Sequence, residues 1–236
     1  MRDNHLHLLQ TLEKAPDAAE FFENAGDYSA LCSCRNIGEV EFVEAFRAAH
    51  PKAAGKLKIS FGIHPQDPQK EELETLLRLI GEKRIEAVGE IGLDLFSDEF
   101  RATFSLQSEL FKRQLEIAAE HDLPVVLHIR KAVQQLFSLE HLLKKNSSVI
   151  FHSYSGTADE ALTFLRHGVN ACFSFGNALL NGHKRAAECI KMLPVERILT
   201  ETDAPYQPKA GKPFSRPEDL EEIVNAVKGI RGNFFA

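Results

Sequence analysis

His5 and His7, Glu90, His128, His152 and Asp203 each stand at the end of an apolar run of strand length. Four imidazoles and two carboxylates are the ligand types that borderline and hard divalent cations take, and they suffice for two ions with positions left for water. His5 and His7 flank Leu6, so at strand spacing their rings project to one side, as two ligands of one ion require. Glu90 sits in Val88-Gly89-Glu90-Ile91-Gly92, where small neighbours allow other groups to approach closely. A carboxylate in that position can bridge two cations and lower their mutual repulsion. His128 and His152 close the apolar runs Pro124 to His128 and Val149 to His152. Arg130, two residues after His128, can hold an anionic oxygen bidentately. Ser153 to Gly156 offer hydroxyls and backbone amides at a helix start, which also favours anions.

Asp203 ends the last run, where it can ligate an ion and accept a proton from an attacking water. Asp203 and Glu90 are therefore the candidate catalytic carboxylates. His64, Arg130 and Glu201 are the candidate substrate-binding residues, and Asp94 reads as a loop cap or a support for a ligand. Each motif alone also has a bland reading, a satisfied core histidine for His128 or a helix N-cap for Asp203. Their shared placement at strand ends singles them out. His50, His121, His141, His167 and His183 fall in or beside helical patterns and read as surface or packing residues.

The elements that must position these groups alternate along the chain. Candidate strands are Asp3 to Leu8, Tyr28 to Cys34, Lys58 to Ile63, Ala87 to Ile91, Pro124 to His128, Val149 to His152, Ala171 to Phe175 and Arg197 to Thr202. Between them lie helical patterns. The clearest is Thr103 to His121, and another starts with the Thr157/Glu160 capping box and stops near Gly168. Such alternation predicts a parallel sheet with helices outside, and eight repeats fit a compact (β/α)₈ TIM barrel. A doubly wound open sheet is the alternative, but no Gly-rich dinucleotide fingerprint follows the first strand. The candidate ligands also come from five different strands, which reach a common centre only in a closed ring.

The 236 residues read as a single barrel domain spanning 1-236, with no repeat or linker to divide it. The N-terminus enters a polar, His-rich segment without a secretory pattern, and no apolar run approaches ~18 residues, so the expected location is cytoplasmic. Cys32, Cys34, Cys172 and Cys189 read as reduced thiols, the first two as core residues. A net charge of -6 argues against a broad basic face for gripping duplex nucleic acid. It leaves room for a local anion trap, because two divalent ions held by four neutral histidines and two carboxylates keep about +2.

Taken in order, these segments resemble the TatD-like metal-dependent hydrolases, the TatD-related deoxyribonuclease family. The resemblance runs through Asp3-Asn4-His5-Leu6-His7, Gly62-Ile63-His64-Pro65, Gly89 to Asp94 and the helix holding Gln107, Phe111 and Gln114. It continues through Leu123 to Val125, His128-Ile129-Arg130, His152 to Gly156 and Glu201 to Tyr206. It implies a (β/α)₈ barrel with a binuclear metal site formed by His5, His7, Glu90 as the bridge, His128, His152 and Asp203. Three departures stand out. Leu8 and Leu9 replace the usual Asp or Asn after the second histidine, and Phe214-Ser215-Arg216-Pro217 replaces an Arg-Asn-Glu-Pro segment. The chain also ends soon after the helix near Leu220 to Val227.

The resemblance implies a divalent-metal-dependent deoxyribonuclease that cleaves phosphodiester bonds through a metal-activated water, with single-stranded or 3′ ends of DNA as substrate. Two ions are expected, of magnesium, manganese or zinc, without a membrane or an obligate protein partner. The alternative is a binuclear hydrolase of a small-molecule or aminoacyl-tRNA ester, lactone or amide. A binding barrel without catalysis ranks below both, since all six ligand positions are filled.

Overall fold

The computed structural model of the chain describes residues 1–232. Strands β1 (Arg2–Leu6), β2 (Ser29–Cys34), β3 (Leu57–Phe61), β4 (Ala87–Asp94), β5 (Val125–Arg130), β6 (Val149–Phe151), β7 (Ala171–Phe175) and β8 (Ile198–Thr200) form one sheet in sequence order. Every ladder is parallel. Helices cover the outside, among them Phe104–Glu120 and Ala158–Arg166, and the latter starts in the reciprocal Thr157/Glu160 capping box. The fold is thus the nearly closed (β/α)₈ barrel that the alternation predicts. No helix among the described residues is long and apolar enough to cross a membrane.

Side-chain alternation divides the core in two. Cys32, Cys34, Val125, Leu127, Val149 and Phe151 point outward into the large apolar layer between sheet and helices. Leu31, Ala87, Val126 and Ile150 form a separate cluster with Leu199 against it, which fills the barrel interior. His128 and His152 follow Val126 and Ile150 by two residues and so share their face. The interior therefore changes from aliphatic to imidazole toward the C-terminal ends of the strands, where the loops gather.

Strands β4 and β5 run further than the apolar runs suggest. Pairing continues through Gly92 with His128, Leu93 with Ile129 and Asp94 with Arg130, after a register shift between Gly89 and Ile91. Glu90 lies in that irregularity, inside β4 rather than at its end, because the following residues still find partners on β5. Glycine is required at 92, where φ is +148° and a Cβ would lie 2.1 Å from the His128 carbonyl oxygen.

The β1/β8 seam is closed by side chains as well as backbone. Asp3 Oδ1 accepts from Thr202 N at 2.9 Å, while Oδ2 accepts from Thr202 Oγ1 at 2.6 Å and from the Tyr28 hydroxyl at 2.9 Å. Asp203 N donates to His5 O and His7 N to Ala204 O, at 2.9 and 2.8 Å. These bonds set His5, His7 and Asp203 against one another. Asp3→Ala orphans buried donors on Thr202 and Tyr28, and is expected to lower the unfolding free energy by about 3 kcal/mol. Urea denaturation checks this, and a loss below ~1 kcal/mol would mean that closure does not depend on the carboxylate.

Candidate metal centre

Glu90 is the hub of the C-terminal face. Its Oε2 lies 3.3 Å from His5 Nε2 and 3.7 Å from His7 Nε2. Its Oε1 lies 2.9 Å from His128 Nδ1 and 3.4 Å from both His64 Nε2 and His152 Nε2. Asp203 Oδ1 stands 3.6 Å from the Nε2 atoms of both His5 and His7. Three sets of ligand atoms are close enough to share an ion: His5, His7 and Asp203; His5, Glu90 and His152; and His64, Glu90 and His128.

Behind this cluster the rings of His128, His152 and His64 each meet a further group. His128 turns Nε2 to Asp94 Oδ2 at 3.0 Å, and Asp94 is pinned by Gln66 Nε2 at 2.8 Å and by the Phe96 amide at 2.9 Å. Asp94 is thus both a loop cap and a ligand support. His152 Nδ1 lies 3.0 Å from Glu201 Oε1, which also accepts from Ser153 N and Oγ at 2.7 and 2.8 Å. His64 Nδ1 accepts the Gln66 amide at 3.2 Å, which leaves the ring proton on Nε2, the atom facing Glu90. Burial pushes His64 down to about 4, so at neutral pH the ring is an uncharged donor at Nε2.

The electrostatics favour a cation. Burial penalises the charge on Glu90 and Asp203, yet the surrounding histidines outweigh it and hold both carboxyls below their usual range. Burial also penalises a charged His152, but Glu201, Glu90 and Asp203 together push it up to about 10. A field strong enough to keep a buried imidazole protonated is one that a divalent ion can satisfy in the proton's place. The Nδ1 atoms of His5 and His7 are buried without a hydrogen-bond partner in the protein, and the two Nε2 atoms lie 3.2 Å apart. Imidazole and carboxylate donors in this number fit a divalent transition metal or Mg²⁺. Asp203 is held in a left-handed backbone, φ +52°, a strained conformation of the kind found where function demands it.

The family model described as TatD related DNase matches residues 2–234. The chain belongs to this family. The 3'-5' ssDNA/RNA exonuclease TatD of Escherichia coli K12 is 30% identical over 181 residues, covering 72% of this chain and 69% of the relative. The protein of the same name from Pantoea vagans is 31% identical over 219 residues, covering 89% and 82%. Among solved structures, YJJV, a TatD homologue from Escherichia coli, superposes with a TM-score of 0.84 at 25% identity, covering 98% of this chain and 90% of that one. As a TatD-family protein the chain is a metal-dependent hydrolase on a TIM barrel.

Of the residues singled out in the sequence, the barrel brings His5, His7, His64, Glu90, His128, His152 and Asp203 into one cluster. Arg130 stands exposed beside it, lining with His128 and His152 a cavity of about 310 Å³. Glu201 is a correction: it is fully buried behind His152, with its carboxylate taken up by His152 and Ser153, so it cannot reach a substrate. Its place suits a carboxylate that orients His152, one of the residues that could hold a metal ion. Glu201→Gln is expected to weaken metal affinity by roughly 10–100-fold, read by metal titration of the purified variant. Unchanged affinity would leave Glu201 no part in orienting His152.

Three supporting groups have roles that the sequence does not disclose. Gln114 Oε1 accepts from Ile63 N at 2.7 Å and Gln107 Oε1 from Asp94 N at 2.9 Å, clamping the loop that carries His64 and the end of β4 that carries Asp94. Two glutamines one heptad apart on the buried face of an amphipathic helix were the available signal. Gln207 Nε2, 2.7 Å from both Asp203 Oδ2 and Ser153 Oγ, had none.

Proposed function

We propose that this TatD-family hydrolase is a divalent-metal-dependent nuclease that removes nucleotides from the 3′ ends of single-stranded DNA, using two ions. The observation that carries this reading is the seven-residue cluster around Glu90, with the exposed guanidinium of Arg130 at its mouth. The printed activities of its relatives, exonucleases on single-stranded DNA and RNA, support the substrate class. His5, His7 and Asp203 would hold one ion, His128 and His152 the other, and Glu90 both.

Divalent ions held by these residues would supply a water of pKa ~7 and a positive charge to polarise a phosphoryl oxygen. Asp203 is ionised, because the histidines hold its carboxyl low, and it takes the proton of the attacking water. The water oxygen bonds to phosphorus as the bond from phosphorus to the leaving sugar oxygen breaks, and the proton on Asp203 is then available to that leaving oxygen. His64 donates from Nε2 to a phosphoryl oxygen, a role that its fixed tautomer prepares. Arg130 pairs with a non-bridging oxygen. Magnesium, manganese and zinc all suit mixed imidazole and carboxylate donors, so each belongs in the test.

The test is cleavage of 5′-labelled single-stranded and duplex DNA by protein of measured metal content, with Mg²⁺, Mn²⁺ or Zn²⁺ supplied. A metal-dependent ladder shortening from the 3′ end supports the reading. Protein that carries metal and leaves every strand whole overturns it, and directs attention to ester and amide substrates.

A further inference from the structure

Beside the metal cluster lies a side chain that the hydrolysis itself does not use, Phe96, stacked on the guanidinium that it does use. Phe96, in the loop after β4, is 47% exposed. It is not loose: its amide donates to Asp94 Oδ1 at 2.9 Å, and Arg101 Nη1 donates to the Leu95 and Phe96 carbonyl oxygens at 2.9 and 3.3 Å. The Arg130 guanidinium lies over its ring, with Cζ 3.6 Å from the centroid, and Lys131 Nζ is 5.3 Å from the same centroid. Among the described residues neither Arg130 nor Lys131 forms an ion pair with a carboxylate, although the chain carries six more acidic than basic groups.

Stacking uses the face of a guanidinium and leaves its N–H edge free. Phe96 therefore fixes the plane of Arg130 while its donors stay available to an oxyanion. The result is a flat, exposed stack bearing two unpaired cations, continuous with the cavity lined by His128, Arg130 and His152. Aromatic and guanidinium planes with cations alongside are what single-stranded nucleic acid recognition employs, the planes for bases and the cations for phosphates. We infer that Phe96, Arg130 and Lys131 form a nucleotide subsite, in which the base of a nucleotide flanking the scissile bond stacks on the Phe96/Arg130 pair and its phosphate meets the two cations. This rests on the nuclease reading and adds where the strand is held.

Wild-type protein and Phe96→Ala are compared on three single strands: one intact, one abasic at the 3′-terminal nucleotide and one abasic at the nucleotide before it. On the intact strand Phe96→Ala is expected to raise KM roughly tenfold, the size of one lost base stack, with kcat within about twofold. One of the abasic strands should impose the same penalty on wild-type protein and no added penalty on the variant. Phe96→Tyr should behave as wild type. The inference is overturned if Phe96→Ala leaves KM unchanged on the intact strand, or if its penalty is the same size on both abasic strands. Wild-type protein that cleaves no strand at all defeats the nuclease reading first, and the subsite with it, so the two failures are distinct.

Discussion

Asp203→Asn is expected to reduce turnover by about three orders of magnitude while the protein stays folded, the range associated with losing a general base. The two side chains have the same shape, and the amide oxygen can still accept the hydrogen bond from Gln207. The backbone bonds from Asp203 N to His5 O and from Tyr206 N to Asp203 O are untouched. What disappears is the carboxylate that faces His5 and His7 at 3.6 Å, and with it the acceptor for the proton of water. Turnover should be measured at saturating metal, because the lost charge also weakens ion binding. Unchanged turnover at full metal loading would remove Asp203 from the role of base.

Glu90→Gln should act at an earlier stage, on the binding of metal itself. Five imidazoles lie within 3.7 Å of the two oxygens of Glu90, which is buried among them. Replacing it with an amide removes the one charge they share and presents an N–H₂ donor to ring nitrogens. Breaking a buried charge pairing of this kind costs ~3–5 kcal/mol, which corresponds to a loss of metal affinity of roughly two to four orders of magnitude. The variant is expected to retain little metal after dialysis and to lack the rise in melting temperature on metal addition that is expected of wild-type protein. Metal analysis and thermal melting read both effects. A variant with full metal content and wild-type turnover would mean that Glu90 is not the centre of the site.

The seam and the site are mechanically joined. Asp3 ties β1 to Thr202, one residue before Asp203 and two residues before His5 in β1. Damage to closure should therefore reach the ligands directly, and Asp3→Ala is expected to compromise metal binding as well as stability. The positions where Leu8 and Leu9 depart from the family pattern are differently placed. Leu8 is buried in the apolar layer, at the start of the helix that follows His7, so its side chain serves packing and not the cluster.

Much of this was legible from residue types and spacing. Parity along a strand is local, so His5 with His7, Val126 with His128 and Ile150 with His152 disclosed their shared faces from sequence alone. Alternation of strand and helix similarly disclosed a barrel, and a barrel places strand ends together. The Thr157/Glu160 capping box was equally readable, since both partners lie within one helical turn.

Other features depend on which distant segments meet. The sequence by itself determined the ligand types, the strands that carry them and the face they share. Only the tertiary structure decided that Glu90 sits inside β4 and faces five histidines, that Gln66 fixes the proton of His64, and that Glu201 lies behind His152 and not toward a substrate. It also placed Phe96 under Arg130. The physical reason is that strand parity and capping are set by a few neighbouring dihedrals, whereas a hydrogen bond or a stacked pair between residues tens of positions apart exists only after the barrel has closed and brought their loops to one rim.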